Sequence, residues 1–275
     1  MTREFTVSGP IRVQASLRAT DLLVSAGGPD TVTVLLESSR DAAERGAFAA
    51  NTVVEMVGDV LHIQAQLPRF FARERTRIHL TLPSGSGMQV STGSGEVIST
   101  APLGRVTVRS GSGGVQLGEV DDVEIVTGSG DVRITSLRAG RVQTGSGGIW
   151  AGTVRESLTT RTGSGDVTVA ASRHLESTSG SGDITVDELR GEARLRTASG
   201  DARVRRAAAG RLDVKSTSGD VHVAVPQGTA VLLDCSTVSG ELRCALDAAD
   251  EPGPEDESLE LVGRTVSGDL AVDRA

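Results

Sequence analysis

Thr127-Gly128-Ser129-Gly130-Asp131-Val132-Arg133-Ile134 decides how this chain is read, because the chain writes the same stretch repeatedly. The Ser-Gly pair returns with its Gly at 95, 113, 130, 147, 165, 182, 200, 219, 240 and 268. The first seven intervals are 18, 17, 17, 18, 17, 18 and 19 residues; the last two stretch to 21 and 28. A fixed period of this size marks a repeat architecture, in which no single unit can bury its apolar face alone.

Aligning the copies on that Gly turns the sequence into columns. Two residues after it come Val97, Val115, Val132, Ile149, Val167, Ile184, Ala202 and Val221; four after it come Ser99, Leu117, Ile134, Ala151, Val169, Val186, Val204 and Val223. The position between is mostly polar, with Gln116, Arg133, Thr168, Thr185 and His222 among its occupants. Alternation with period two buries one face and wets the other, so each copy opens with a strand. A second alternating pair precedes the next Ser-Gly, as in Val106/Val108, Val123/Ile125, Ala193/Leu195 and Leu212/Val214. Val120, Leu137, Val154 and Leu189 suggest a third inward point per turn.

The bends carry further information. Ser or Thr always stands three residues before the unvarying Gly, and its hydroxyl is placed to bond backbone at the corner. The slot two before that Gly is Gly in six copies and then Ala198, Thr217, Val238 and Val266, so it merely favours small side chains. The unvarying Gly is the one expected in a left-handed or otherwise Gly-only conformation.

These patterns predict an all-β fold: a single-chain parallel β-helix, or solenoid. Right-handed winding is expected, because about 98% of parallel crossovers take that hand. Residues 92–275 form the solenoid of about ten repeats of 17–19 residues, with an acidic loop inserted at 246–260 around Glu251-Pro252-Gly253-Pro254-Glu255-Asp256-Glu257. Residues 1–91 lack the motif and read as an N-terminal β cap for the open end of the stack. Within it, Val57-Gly58-Asp59-Val60 is a tight hairpin turn and the Ala-rich stretch 41–50 a short helix.

Composition agrees. Aromatic residues are 2% and Gly numbers 34 of 275 residues, which suits a narrow interior of Val, Ile, Leu and Ala. A formal net charge of −8 argues against a nucleic-acid or anionic-membrane partner. No run approaches the roughly 18 apolar residues of a membrane span. Met1-Thr2-Arg3-Glu4-Phe5 has no apolar signal core, so a cytoplasmic chain is expected.

The columns Thr-Gly-Ser-Gly-Asp-Val-x-Val, the opening Phe5…Gly9-Pro10-Ile11-Arg12-Val13 and the closing Arg264-Thr265-Val266-Ser267-Gly268-Asp269-Leu270 resemble the bacterial β-strand-repeat family labelled "putative adhesin". The resemblance covers almost the whole chain. It implies a non-catalytic β-solenoid domain of unassigned function; some similar domains belong to cell-envelope stress systems.

The residue after each unvarying Gly is usually acidic: Glu96, Asp131, Asp166, Asp183, Asp201, Asp220, Glu241 and Asp269. A calcium ladder would repeat every nine residues with ligands on both turns. Here the period is double, and Asp as a turn residue that accepts a backbone N–H is the simpler reading. Arg161, Arg196 and Lys215 recur just before the bend and could offset repulsion along the row. Paired carboxylates for glycan cleavage would need a cleft that a chain with one Trp and no Tyr does not advertise. His62, His79, His174 and His222 show no ligand spacing. Cys235 and Cys244 fall in inward columns, as buried free thiols or, less simply, a disulfide. Trp150 falls in an outward column beside Thr168 and Arg133. No catalytic, cofactor-binding or metal-binding residue is therefore assigned, and no cofactor. Two functional classes follow: a rigid scaffold for an unidentified protein or envelope component, or a self-assembling filament built by stacking coil ends, as in bactofilin-like solenoids. Circular dichroism should show mostly β structure; a helix-dominated spectrum would end the solenoid reading.

Overall fold

The computed structural model describes residues 1–38, 48–65, 76–246 and 257–275, and the chain is an all-β solenoid. It divides into two compact units, residues 1–137 and 138–275.

In the first unit the motif-bearing coils are β8 (Gly87–Thr92) with β9 (Val97–Ser99), and β10 (Leu103–Ser110) with β11 (Val115–Thr127). β8 pairs with β10 and β9 with β11, all parallel. Beneath them lies a coil that the Ser-Gly series does not announce: β2 (Arg12–Leu17) and β3 (Thr20–Ala26), parallel to β8 and β9. The next layer comes from later in the chain. β6 (Val60–Ala65) pairs with β2, and β7 (Thr76–Leu82) with β3, both parallel. The outermost strands reverse direction: β5 (Thr52–Val57) is antiparallel to β6, β4 (Thr31–Ser38) to β7, and β1 (Thr2–Thr6) to β4. The predicted hairpin joins β5 and β6, with Val57 opposite Val60 and Gly58 at φ 61°. Asp59 keeps a negative φ, so the turn is of the II′ kind, with Gly at its first central position. The expected helix at 41–50 falls largely outside the described residues.

β12 (Val132–Thr144) leads into the second unit, which stacks β13 (Ile149–Thr162), β14 (Val167–Ser179) and β15 (Ile184–Thr197) in parallel. On β15 lie β16 (Ala202–Val204) and β17 (Ala207–Lys215), and β18 (Val221–Val225) lies on β16. Each long strand carries two straight runs around one inward corner residue. Val120, Leu137, Val154 and Leu189 are all buried there, so the third inward point is a single residue and not a third strand.

Sequential stacking then stops. β21 (Ser258–Thr265) pairs with β17, and β22 (Leu270–Arg274) with β18. The earlier segments β19 (Ala230–Thr237) and β20 (Leu242–Cys244) sit outside them, on β21 and β22. The C-terminal coil is therefore threaded beneath the coil that precedes it. The interior place goes to Leu259, Leu261, Leu270 and Val272, all at most 1% exposed. The outer coil fills the corresponding columns with Val231, Leu233, Leu242 and Cys244. Most of the acidic insertion expected at 246–260 lies outside the described residues.

The corners correct one expectation. Gly9, Gly58, Gly85, Gly191, Gly210 and Gly228 have positive φ, and none of these is the unvarying Gly of the motif. That Gly is demanded by space. A Cβ on Gly165 would stand 1.9 Å from the carbonyl oxygen of Gly147 in the coil below, and one on Gly219 the same distance from that of Gly200. The slot two before it is tight as well: a Cβ on Gly163 would meet the Gly145 carbonyl oxygen at 2.5 Å. That slot can yield, because Ala198 and Thr217 occupy it while Ser199 N–H still donates to Gly180 O (3.1 Å) and Ser218 N–H to Ala198 O (2.9 Å). The Ser/Thr column closes each corner as expected. Thr92, Thr127, Thr162, Ser179, Thr197 and Ser216 each accept the N–H of the Gly three residues on, at 2.9–3.1 Å.

Backbone cannot retreat from an added methyl as a side chain can, so Gly165→Ala should destabilise by about 3 kcal/mol or more, the upper end of overpacking costs. Gly163→Ala should cost about 1 kcal/mol. Denaturant midpoints of the two variants in one background check this; a Gly163→Ala more damaging than Gly165→Ala would contradict it.

Candidate functional site

In the second unit, stacked corners bring the acids of the motif from Asp166 onward into one row. Asp183 N–H donates to Asp166 Oδ1 (2.9 Å), Asp201 N–H to Asp183 Oδ1 (2.8 Å) and Asp220 N–H to Asp201 Oδ1 (2.9 Å). The threaded coil continues it: Asp269 N–H donates to Asp220 Oδ1 and Glu241 N–H to Asp269 Oδ1, both at 2.8 Å. Main chain answers in the opposite sense, Val167 N–H to Asp183 O, Ile184 N–H to Asp201 O and Ala202 N–H to Asp220 O. Each carboxylate thus accepts from the backbone of the next coil rather than from its own turn. In the first unit a separate contact of the same kind forms, in which Glu96 N–H donates to Asp21 Oδ1 (3.1 Å), whereas Gly114 and Gly148 stand at the corresponding position of later coils. Asp21 follows Arg18-Ala19-Thr20, which lacks the Ser-Gly signal; the only clue was apolar Leu22 and Val24 beyond it.

Repulsion along this row is offset by backbone N–H groups, not by the cations expected to do so. Lys215 pairs with Asp213 at 3.6 Å, and no ion pair to the row forms from Arg161 or Arg196 among the described residues. At the outer end Arg243 bonds Glu241 (2.5 Å), which lowers the Glu241 pKa and raises that of Arg243.

Among the described residues, two shallow depressions lie on the outer faces of the sheets. One, of about 270 Å³ in the first unit, is lined by Gln14, His62, Gln64, Gln89, Thr107 and Arg109, a mostly uncharged set with one cation. The other, of about 280 Å³ in the second unit, is lined by His174, Glu176, Glu192, Arg194, Arg211 and Asp213. Strand register fixes these side chains in rungs, with Glu176 beside Arg194 and Arg194 beside Asp213. Asp213 is largely covered, with Arg194 at 3.7 Å and Lys215 at 3.6 Å. His174 shares a rung with Ser157 and Glu192, its Nδ1 lying 3.1 Å from Glu156 O. His222 pairs with Asp273 at 3.0 Å and His79 with Glu37 at 2.8 Å, so the histidines are scattered, as expected.

Cys235 and Cys244 occupy the predicted columns, beside Gly263 and Val272. Both are free, but the expectation of buried thiols fails: Cys235 is half-buried and Cys244 exposed, because their coil is outermost. Partial burial raises the Cys235 pKa, and the neighbouring Asp234 and Cys244 push the same way. Trp150 is half-buried in the outward column, in register with Thr168.

Because the row's acceptors already serve the backbone, Asp183→Ala should cost about 1 kcal/mol and Asp183→Asn, which keeps an acceptor, less than half of that. Millimolar calcium should leave the melting temperature unchanged. A site filled at 100 times its dissociation constant would add about 2.7 kcal/mol, so a rise of several degrees would contradict the backbone role.

Among solved structures, an adhesin so named from Parabacteroides distasonis is 12% identical, with TM-score 0.47, covering 100% of this chain and 96% of its own. One from Bacteroides fragilis is 14% identical (TM-score 0.42; 99% and 96% covered), and a protein named as lipid binding, also from Parabacteroides distasonis, is 15% identical (TM-score 0.37; 100% and 96% covered). No curated protein matches the chain. The sequence profile named Toastrack DUF4097 matches residues 21–274, from Asp21 in β3 to the last strand. The chain belongs to the Toastrack DUF4097 family.

Proposed function

We propose that the chain is a non-catalytic interaction scaffold that holds a protein or cell-envelope component against an outer sheet face. The observation that carries this is the depression in the second unit. There, rungs of alternating charge (Glu176, Arg194, Asp213; Glu192, Arg211, Glu260) stand on strands whose inward faces are fully packed. Such a surface offers fixed, two-dimensional charge complementarity, which selects partners and speeds encounter more than it supplies affinity. No helix among the described residues is long and apolar enough to cross a membrane. The reversed outermost strands of the first unit favour this reading over end-on filament growth, since a parallel stack needs a parallel strand edge to extend.

Affinity capture from the source cell, with fractionation to place the complex inside or outside the cytoplasm, tests the proposal. Arg194→Gln with Arg211→Gln should weaken capture of the partner more than tenfold while costing little in melting temperature, since exposed ion pairs contribute about 1 kcal/mol or less. Arg12→Glu, on an exposed side chain of the first unit, should leave capture unchanged. Equal capture by all three proteins, or turnover of a captured molecule, would overturn it.

A further inference from the structure

The threaded coil order places β19 and β20 outermost among the described residues of the second unit. Among the described residues β19 pairs only with β21, and β20 only with β22, so their far edges present unbonded N–H and C=O groups. The core columns run out into solvent at the same place. Leu270 and Val272 are 0% and 1% exposed, whereas Leu242, one rung further out, is 48% exposed and Cys244 is also exposed. Leu232 and Val238 add apolar surface at 70% and 78% exposure. β19 reads Ala-Val-Leu-Leu-Asp-Cys-Ser-Thr, with neither the Pro nor the Lys that commonly guards an edge strand. In the first unit, by contrast, the outermost coil is overlaid by antiparallel strands, and Phe48 and Val54 are each 2% exposed.

We infer that this outermost coil is the docking surface for a second copy of the chain, joined about a two-fold axis through Leu242. Charge chooses the occupant. β20 places Leu242 between Glu241 and Arg243, both solvent-facing. Antiparallel pairing centred on Leu242 sets Leu242 opposite its own copy and Glu241 opposite the copy's Arg243, twice over. Opposite-charge and apolar cross-strand pairs are the stabilising kind, and this edge makes both with itself. The contact is isologous, so it closes at two subunits and does not propagate. A contact built on one short strand is expected to be weak, so the dimer forms in roughly the micromolar range. This surface is distinct from the sheet face assigned to a foreign partner, and either assignment can fail alone.

Sedimentation velocity across about 5–200 μM reads the association directly. The parent chain should shift from monomer to dimer with concentration. Arg243→Glu, a change at an exposed side chain, should weaken association at least tenfold by facing Glu with Glu. The swap Glu241→Arg with Arg243→Glu should restore it. In a Cys235→Ser, Cys244→Ser background, Leu242→Cys should oxidise with diamide to a covalent dimer, whereas Val57→Cys on exposed β5 should not. A parent that stays monomeric, a charge reversal without effect, growth beyond the dimer, or equal crosslinking by the two cysteines would overturn the inference.

Discussion

Close approach of backbone to backbone at the corners governs this molecule. Each bend rests on the carbonyl oxygen of the bend beneath, so near that a Cβ on the unvarying Gly would lie 1.9–2.2 Å from it in coil after coil. Everything regular about the fold follows. With corners in contact, strands fall into parallel register, like residues stack on like, and Val, Ile and Leu columns close a dry interior. The Ser/Thr hydroxyl then satisfies the corner N–H, and the following Asp reaches across to the next coil's N–H. The corner is thus a hydrogen-bonded joint repeated along the stack, and polar residues are fixed there because buried or crowded backbone N–H groups need partners.

That joint also explains the chemistry of the acid row. Carboxylates stacked at this spacing would repel if their charge faced only water and one another. Here Asp166, Asp183, Asp201, Asp220 and Asp269 each spend an oxygen on a main-chain N–H, a charge-assisted bond that lets like charges stand in line. A row of Asp residues in a solenoid is therefore read better as mortar than as a ligand set, and the functional surface is sought on the sheet faces. There the outward side chains are free to vary while the inward ones hold the geometry.

Much of this was legible in the sequence. Period-two columns gave the strands, Val120 and Leu137 gave the inward corner, and Val57-Gly58-Asp59-Val60 gave the hairpin. What was not legible divides by cause. Glycine invariance has two physical origins, torsion and space, and composition cannot separate them; the structure assigns it to space. Asp21 was hidden because Thr20 replaces the corner Gly where the coil beneath, at Thr76, leaves room for it. Coil order was hidden because a local period says how far apart copies are, never which copies touch. The exposure of Cys235 and Cys244 follows from that order, since their columns were read correctly and only their place in the stack was not.

The coil order, with residues 258–274 lying between 207–225 and 230–246, is what sets the exposed end. Paired cysteines decide it most directly, in a background without Cys235 and Cys244. His222 and Ala271 are register partners on neighbouring strands, about 4.8 Å apart, whereas His222 and Arg243 stand one coil further from each other. Under a mild oxidant, His222→Cys with Ala271→Cys should form an intramolecular disulfide rapidly, and His222→Cys with Arg243→Cys should not. The reverse outcome would show the coils stacked in chain order and contradict the account.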